Sequence, residues 1–282
     1  MKWLRREPQT VQPGHVLAPG YRVVSLLSRG RRLDTYDCHD EDRDARVVVK
    51  MLRPDRRDEE RVLEAVRLEG HLATTLQHPN LVRGFDVIED PGPGIVFQML
   101  TGATLGALID ESMEEGRPLG VRDVCQLGLQ LVSALGYVHR QGWLHLDVKP
   151  NNIVVQGGQA ILIDFSLAGR PGAGREGAGT RGYIAPEQAR GQGLSSATDV
   201  WGLGITVLEC LAGDLPYGDE ATWDAARRIP ILHRRMPTVP ELMPEDLPRD
   251  LAAVLRRTIE LEAAARPSLP ELREVFALHA GA

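Results

Sequence analysis

No stretch of the 282 residues reaches the roughly 18 uninterrupted apolar positions that a membrane-crossing helix needs. The stretch MKWLRREPQTVQPGHVLAPG carries positive charge with no apolar run behind it and is not expected to serve as a secretory signal. Cysteine is scarce: Cys38, Cys125 and Cys210 lie far apart with no CxxC pair. That spacing suggests neither a zinc site nor a secreted disulfide framework, and predicts reduced thiols in a cytoplasmic protein. Positive charge is also short, with 33 Lys and Arg against 39 Asp and Glu for a net of -6. A protein that binds nucleic acid by neutralising phosphates over a basic face needs the opposite balance, so no nucleic-acid partner is expected. What remains is ordinary for a folded globular chain, 43% hydrophobic and 26% charged.

Residues 1–19 contain Pro8, Pro13 and Pro19 and read as a flexible leader with little order before Tyr21. From there to about residue 100, β-branched runs such as Tyr21–Leu27, Arg46–Met51 and Gly94–Met99 predict strands. One helix interrupts them: Glu59 to Leu76 places Val62, Leu63, Val66, Glu69, Leu72 and Ala73 at three- and four-residue steps. After residue 101 the pattern becomes helical over Val121–Gln141, Ser196–Ala212 and Pro248–Ala265, with short strands near 153–164. Residues 166–185 carry Gly169, Gly172, Gly174, Gly177, Gly179 and Gly182 among small or charged neighbours, which predicts a mobile loop. The fold class is therefore α+β, a small antiparallel β lobe with one helix followed by a larger helical lobe.

The most specific string is His145-Leu146-Asp147-Val148-Lys149-Pro150-Asn151-Asn152. It resembles the HRDxKxxN catalytic loop of the eukaryotic-like (Hanks-type) protein Ser/Thr kinases, in a compact bacterial-type form. The resemblance makes Asp147 the base that orients a substrate hydroxyl, Lys149 a neutraliser of phosphoryl charge and Asn152 a magnesium ligand. Asp164, closing the apolar run Ile161-Leu162-Ile163, resembles the metal-binding aspartate of the DFG segment; read alone, such an aspartate is more often a turn residue. Lys50 on a predicted strand and Glu69 on the predicted helix resemble the ion pair that holds the α- and β-phosphates of ATP. Each taken singly reads as a solvated charge. By resemblance Gly30 matches the glycine-rich lid, Phe97 the gatekeeper, Gln98 and Leu100 or Met99 the hinge that reads adenine, and Val48 and Val154 the residues that sandwich the ring. Gly179 to Glu187 resembles the substrate-positioning loop and its APE end, Asp199 the brace of the catalytic-loop backbone, and Arg266 the partner of Glu187.

The resemblance runs from Leu27 to Arg266 and implies a protein kinase domain over residues 20–280, with an N-lobe of 20–99 and a C-lobe of 100–280. It implies ATP with magnesium or manganese as cofactor and a protein Ser or Thr hydroxyl as acceptor. The oligomeric state is left open. Small-molecule phosphotransferases share the two-lobed architecture but typically lack the substrate-positioning loop. A pseudokinase that binds nucleotide or acts as a scaffold is the alternative, because Ser28 and Leu33 replace two lid glycines. Leu146 stands where the family has the arginine that receives a phosphorylated activation loop. Between Ser166 and Tyr183 the hydroxyls are Ser166, Thr180 and Tyr183 alone, all at motif positions. Control by activation-loop phosphorylation is therefore not expected.

Overall fold

The computed structural model describes residues 9–216 and 247–281. Residues 1–8 of the expected leader, and residues 217–246 of the expected C-lobe, lie outside the described residues. The chain divides into two compact units, one of residues up to 77 with 82–101, the other of 78–81 with everything from 102.

The first unit is a six-stranded antiparallel sheet: β1 (Val16–Ala18), β2 (Tyr21–Arg29), β3 (Leu33–Asp40), β4 (Ala45–Leu52), β5 (Gly84–Ile88) and β6 (Gly94–Gln98). Their spatial order is β1-β2-β3-β4-β6-β5. Helix α1 (Glu60–Thr75) belongs to the same unit, and Gly70 on it faces Val87 and Ile95 of the sheet. Alternation along the strands sends Val23, Tyr36, Cys38, Val47, Val49 and Val96 into one core.

The expected leader is shorter than the sequence suggests. Val16–Ala18 pairs with β2, Leu17 and Ala18 are buried, and the Val11 amide donates to the Tyr36 hydroxyl at 3.2 Å. Three prolines masked a strand of only three residues, too short for a visible alternation. Strand β3 was equally hidden, because LDTYDCHD buries Asp34, Asp37 and Asp40. Each of these aspartates meets an arginine, Arg29, Arg46 and Arg43 respectively, so the burial is compensated.

The second unit holds a small antiparallel sheet of β7 (Ala103–Thr104), β8 (Ile153–Gln156) and β9 (Gln159–Leu162), and helices α2 (Leu105–Glu114), α3 (Val121–Arg140), α4 (Pro186–Arg190), α5 (Ser196–Ala212), α6 (Arg249–Thr258) and α7 (Leu269–His279). Helix α5 is buried along most of its length, with Trp201, Leu203 and Ile205 at 0% exposure. Gly202 lets it approach the segment of residues 145–152: a Cβ there would lie 2.9 Å from the Val148 carbonyl oxygen. The helix expected over Pro248–Ala265 stops at Thr258. Beyond it the carbonyls of Glu260 and Leu261 leave the helical ladder and accept from the Arg266 guanidinium instead.

The segment read as a mobile loop is tied down by backbone hydrogen bonds. Gly169 pairs with Leu144 and Gly172 with Leu194, while Gly174 donates to Gly191 and Gly177 to Ala189. The three cysteines are buried, and burial pushes the thiols up, Cys38 to about 12 and Cys125 to about 11. Among the described residues no helix is long and apolar enough to cross a membrane.

Candidate active site

In the first unit, the register of β4 against β3 and β6 sets Lys50 opposite Thr35 and Ile95. Its ammonium donates to Glu69 Oε1 at 2.7 Å and lies 5.3 Å from the centroid of the Phe97 ring. Glu69 is 1% exposed, so it is a buried partner of Lys50 and not a solvated helix charge. An ion pair this shielded holds the lysine head in place.

The lid is a tight turn between β2 and β3. The Gly30 amide donates to the Leu33 carbonyl at 2.8 Å, and a Cβ on Gly30 would come within 2.9 Å of that oxygen. This is the one lid position where the turn itself demands glycine. Buried Arg53 holds the turn from β4's end, its guanidinium donating to the Gly30 carbonyl at 3.1 Å and its amide to the Arg32 carbonyl at 2.9 Å. Arg31 and Arg32 are exposed. Val48 lies on β4 opposite Phe97, and Gln98 and Leu100 are half-buried at and beyond the end of β6. The Gln98 amide N–H is used within the unit, donating to Arg83 at 2.9 Å.

In the second unit, Asp147 is the centre of a hydrogen-bond network. Its Oδ2 accepts from Lys149 Nζ at 2.7 Å and from Asn152 Nδ2 at 2.8 Å, and its Oδ1 accepts from the Thr180 hydroxyl at 2.8 Å. Lys149 also donates to Thr180 Oγ1 at 2.6 Å. Val154 is buried on β8. The Ile163 amide donates to the Asn152 carbonyl at 2.8 Å, which brings Asn152 beside the residue preceding Asp164. Asp164 has φ 71, an unusual backbone for a non-glycine residue, and its Oδ1 accepts from the Ser166 amide at 3.1 Å.

Asn152 commits its amide nitrogen to Asp147, which turns the oxygen end of that amide into the end able to meet a cation. With the Asp164 carboxylate this makes a hard, all-oxygen and incomplete set. Among the described residues there is no cluster of three His, Cys, Asp or Glu able to hold a metal alone. Such a set fits magnesium, which keeps waters and takes phosphate oxygens to complete its octahedron.

Supports for the loop come from α5 and from the chain after α6. Asp199 accepts from the His145 amide at 2.9 Å and the Leu146 amide at 2.7 Å. Full burial would raise this carboxyl, but His139, whose Nε2 lies 2.7 Å away, and the His145 amide outweigh it and hold the pKa below the usual range. His139 escaped the sequence reading; its only signal was a histidine in the last turn of a helix six residues before His145. Glu187 receives Arg266 bidentately at 2.7 and 2.8 Å, and the Thr198 hydroxyl at 2.9 Å. Burial alone would raise Glu187, and the guanidinium more than offsets it, so this carboxyl too is held low. Tyr183 donates to Glu209 Oε2 at 2.6 Å. Burial, aided by Asp214 and Asp110 against the tyrosine bond, pushes Glu209 up to about 7.

The sequence singled out Lys50, Glu69, Asp147, Lys149, Asn152, Asp199, Glu187 and Arg266 by motif, while Arg53, His139, Thr198, Glu209 and Gln188, whose amide donates to the Leu146 carbonyl at 2.6 Å, became visible only in three dimensions. Known proteins share this fold and sequence pattern. The kinase domain of Mycobacterium tuberculosis PknI superposes with a TM-score of 0.75 at 25% identity, covering 96% of this chain and all of that one. Serine/threonine-protein kinase PknA of M. tuberculosis is 30% identical over 268 residues, 91% of this chain and 59% of its own length. Serine/threonine-protein kinase PrkC of Bacillus subtilis is 28% identical over 240 residues, 81% of this chain and 36% of its own length. The chain therefore spans about a third to three-fifths of these curated relatives. The protein kinase domain family matches residues 21–276, and this chain belongs to that family.

Proposed function

We propose that the chain is an ATP-dependent protein Ser/Thr kinase, acting in the cytoplasm on protein hydroxyls, within a domain of residues 20–280. The observation that carries this reading is the Asp147 carboxylate, which accepts an aliphatic hydroxyl on one oxygen and a lysine ammonium on the other. A carboxylate so placed can orient an incoming Ser or Thr hydroxyl and take its proton as the new O–P bond forms. Lys149 offsets the negative charge that builds at the same place. Lys50, fixed by Glu69, is the cation for the α- and β-phosphates, and Asn152 and Asp164 are the magnesium donors. When bound, ATP and magnesium supply the electrophilic phosphorus and the neutralising charge. Gly30, Val48, Gln98, Leu100 and Val154 are assigned to nucleotide by their motif positions.

The activation segment is proposed to need no phosphate. Leu146 offers no phosphate receiver, Thr180 is engaged by Asp147 and Lys149, and the backbone ties at Gly169, Gly172, Gly174 and Gly177 already anchor the segment.

The test is transfer of labelled γ-phosphate from ATP with magnesium, comparing the protein with Asp147→Asn on a generic basic protein. Transfer to Ser or Thr that falls by about 10²–10⁴-fold in the variant is expected, the usual contribution of a positioned base. Nucleotide binding without any transfer would instead select the pseudokinase reading. An activity gain tracking phosphate on Thr180 would overturn the proposed independence from loop phosphorylation.

A further inference from the structure

Leu146 is the residue immediately before the catalytic aspartate, and it adopts φ 62, a left-handed backbone that branched side chains avoid. Such a conformation persists only where its surroundings over-determine it. Its amide is fixed by Asp199 Oδ1 at 2.7 Å. Its carbonyl, one atom from the Asp147 nitrogen, is fixed by Gln188 Nε2 at 2.6 Å. The next amide, that of Asp147, is turned toward His145 Nδ1 at 3.3 Å.

Gln188 itself is 5% exposed. It lies against the substrate-positioning loop, where a Cβ on Gly179 would come within 3.0 Å of its amide nitrogen. Gly179 precedes Thr180, whose hydroxyl meets Asp147. One buried neutral amide therefore touches both loops that must agree on the position of the acceptor. Leucine at 146 has no polar group with which to make such a link.

We infer that Gln188 is a positioning residue for phosphoryl transfer, a phosphate-independent staple that holds the left-handed Leu146 peptide and, through it, the Asp147 carboxylate. The inference rests on the kinase reading for its kinetic consequence but not for its structural one. A donor is required at this place, since the facing atom is a carbonyl oxygen. A carboxylate would add a third acidic group beside Asp199 and Glu187 and have no hydrogen to give.

The experiment combines Gln188→Met, similar in length but without a donor, with Gln188→Glu, equal in size but an acceptor. Steady-state kinetics and amide hydrogen exchange over residues 145–152 are measured on the full chain. In both variants kcat should fall about tenfold, the scale of one lost buried hydrogen bond. The KM for ATP should stay within about twofold, because Lys50 and Glu69 are untouched. Exchange should quicken over residues 145–152 and not across the whole chain. Unchanged exchange there overturns the inference whatever the kinetics do, and so does a raised KM for ATP with kcat intact. Absence of transfer by the unaltered protein would defeat the kinase reading, while the exchange comparison would still decide the staple. Should Gln188→Met fail to fold, Gln188→Glu carries the same comparison.

Discussion

Burial raises two carboxylates in the second unit, but their partners leave them on opposite sides of the ordinary range, and each leads to a measurable pH effect. Glu187 is held low by Arg266, so its contribution is present above the ordinary carboxylate range and is lost as pH falls through the depressed folded value. Removing one partner of this buried pair, as in Arg266→Met, should cost about 3–5 kcal/mol in urea unfolding, because the remaining charge is stranded. Glu209 behaves the other way. Its folded pKa of about 7 lies above the ordinary 4.5, so the folded state binds the extra proton and stability declines as pH rises between those values. Glu209→Gln keeps an acceptor for Tyr183 and removes the titration. It should stabilise the protein on the order of 2 kcal/mol at about pH 8 and change little at about pH 4, read from unfolding curves at both. The Glu187–Arg266 pair was expected from its motif positions, but the Glu209 effect was not legible in the sequence, where Glu209 is one more polar residue on an apolar helix. The grouping of Asp147, Lys149 and Asn152 was legible because all three lie within one short segment, where spacing alone brings them together. His139 and Gln188 were not, because their partners are brought near by folding and neither residue type advertises its bond.

Elements with a full apolar stripe were readable to within a residue or two, as α1, α3 and α5 illustrate. A stripe of 3.6-residue period sustained over four turns or more cannot be mistaken for the two-residue alternation of a strand. Strand β3 was unreadable because Asp34 and Asp40 share the face of the core residues Tyr36 and Cys38, Asp37 is buried on the other face, and the arginines that compensate them lie on or beside the neighbouring strands. Helix α6 was overextended because periodicity continues past Thr258, whereas the need of Arg266 for carbonyl acceptors ends the helix there. The short strand β1 carries a prediction at this scale. A chain beginning at Tyr21 loses the buried Leu17 and Ala18 and the bond from Val11 to Tyr36. It should lose about 3 kcal/mol of stability, seen as an earlier thermal transition, with the phosphate-transfer residues left in place.

At the scale of the molecule, the sequence disclosed an α+β fold in two lobes because the switch from period-2 to period-3.6 patterning falls near residue 101. The nucleotide assignments are spread over both units, so ligand linkage tests them together. Magnesium and ATP at about a hundredfold excess over Kd should stabilise the folded chain by about 2.7 kcal/mol in a thermal melt. Lys50→Met should shrink that gain with or without metal, whereas Asp164→Asn should remove chiefly its magnesium-dependent part. A melt insensitive to nucleotide in the unaltered protein would count against both assignments.

The buried cysteines have a practical corollary. A thiol is reactive as its thiolate, and burial keeps Cys38, Cys125 and Cys210 protonated and out of reach of solvent. The folded chain is thus a chemically silent background for maleimide or spin-label attachment, and a single cysteine introduced at exposed Glu176 would report on the activation segment without mutating any native residue of the core.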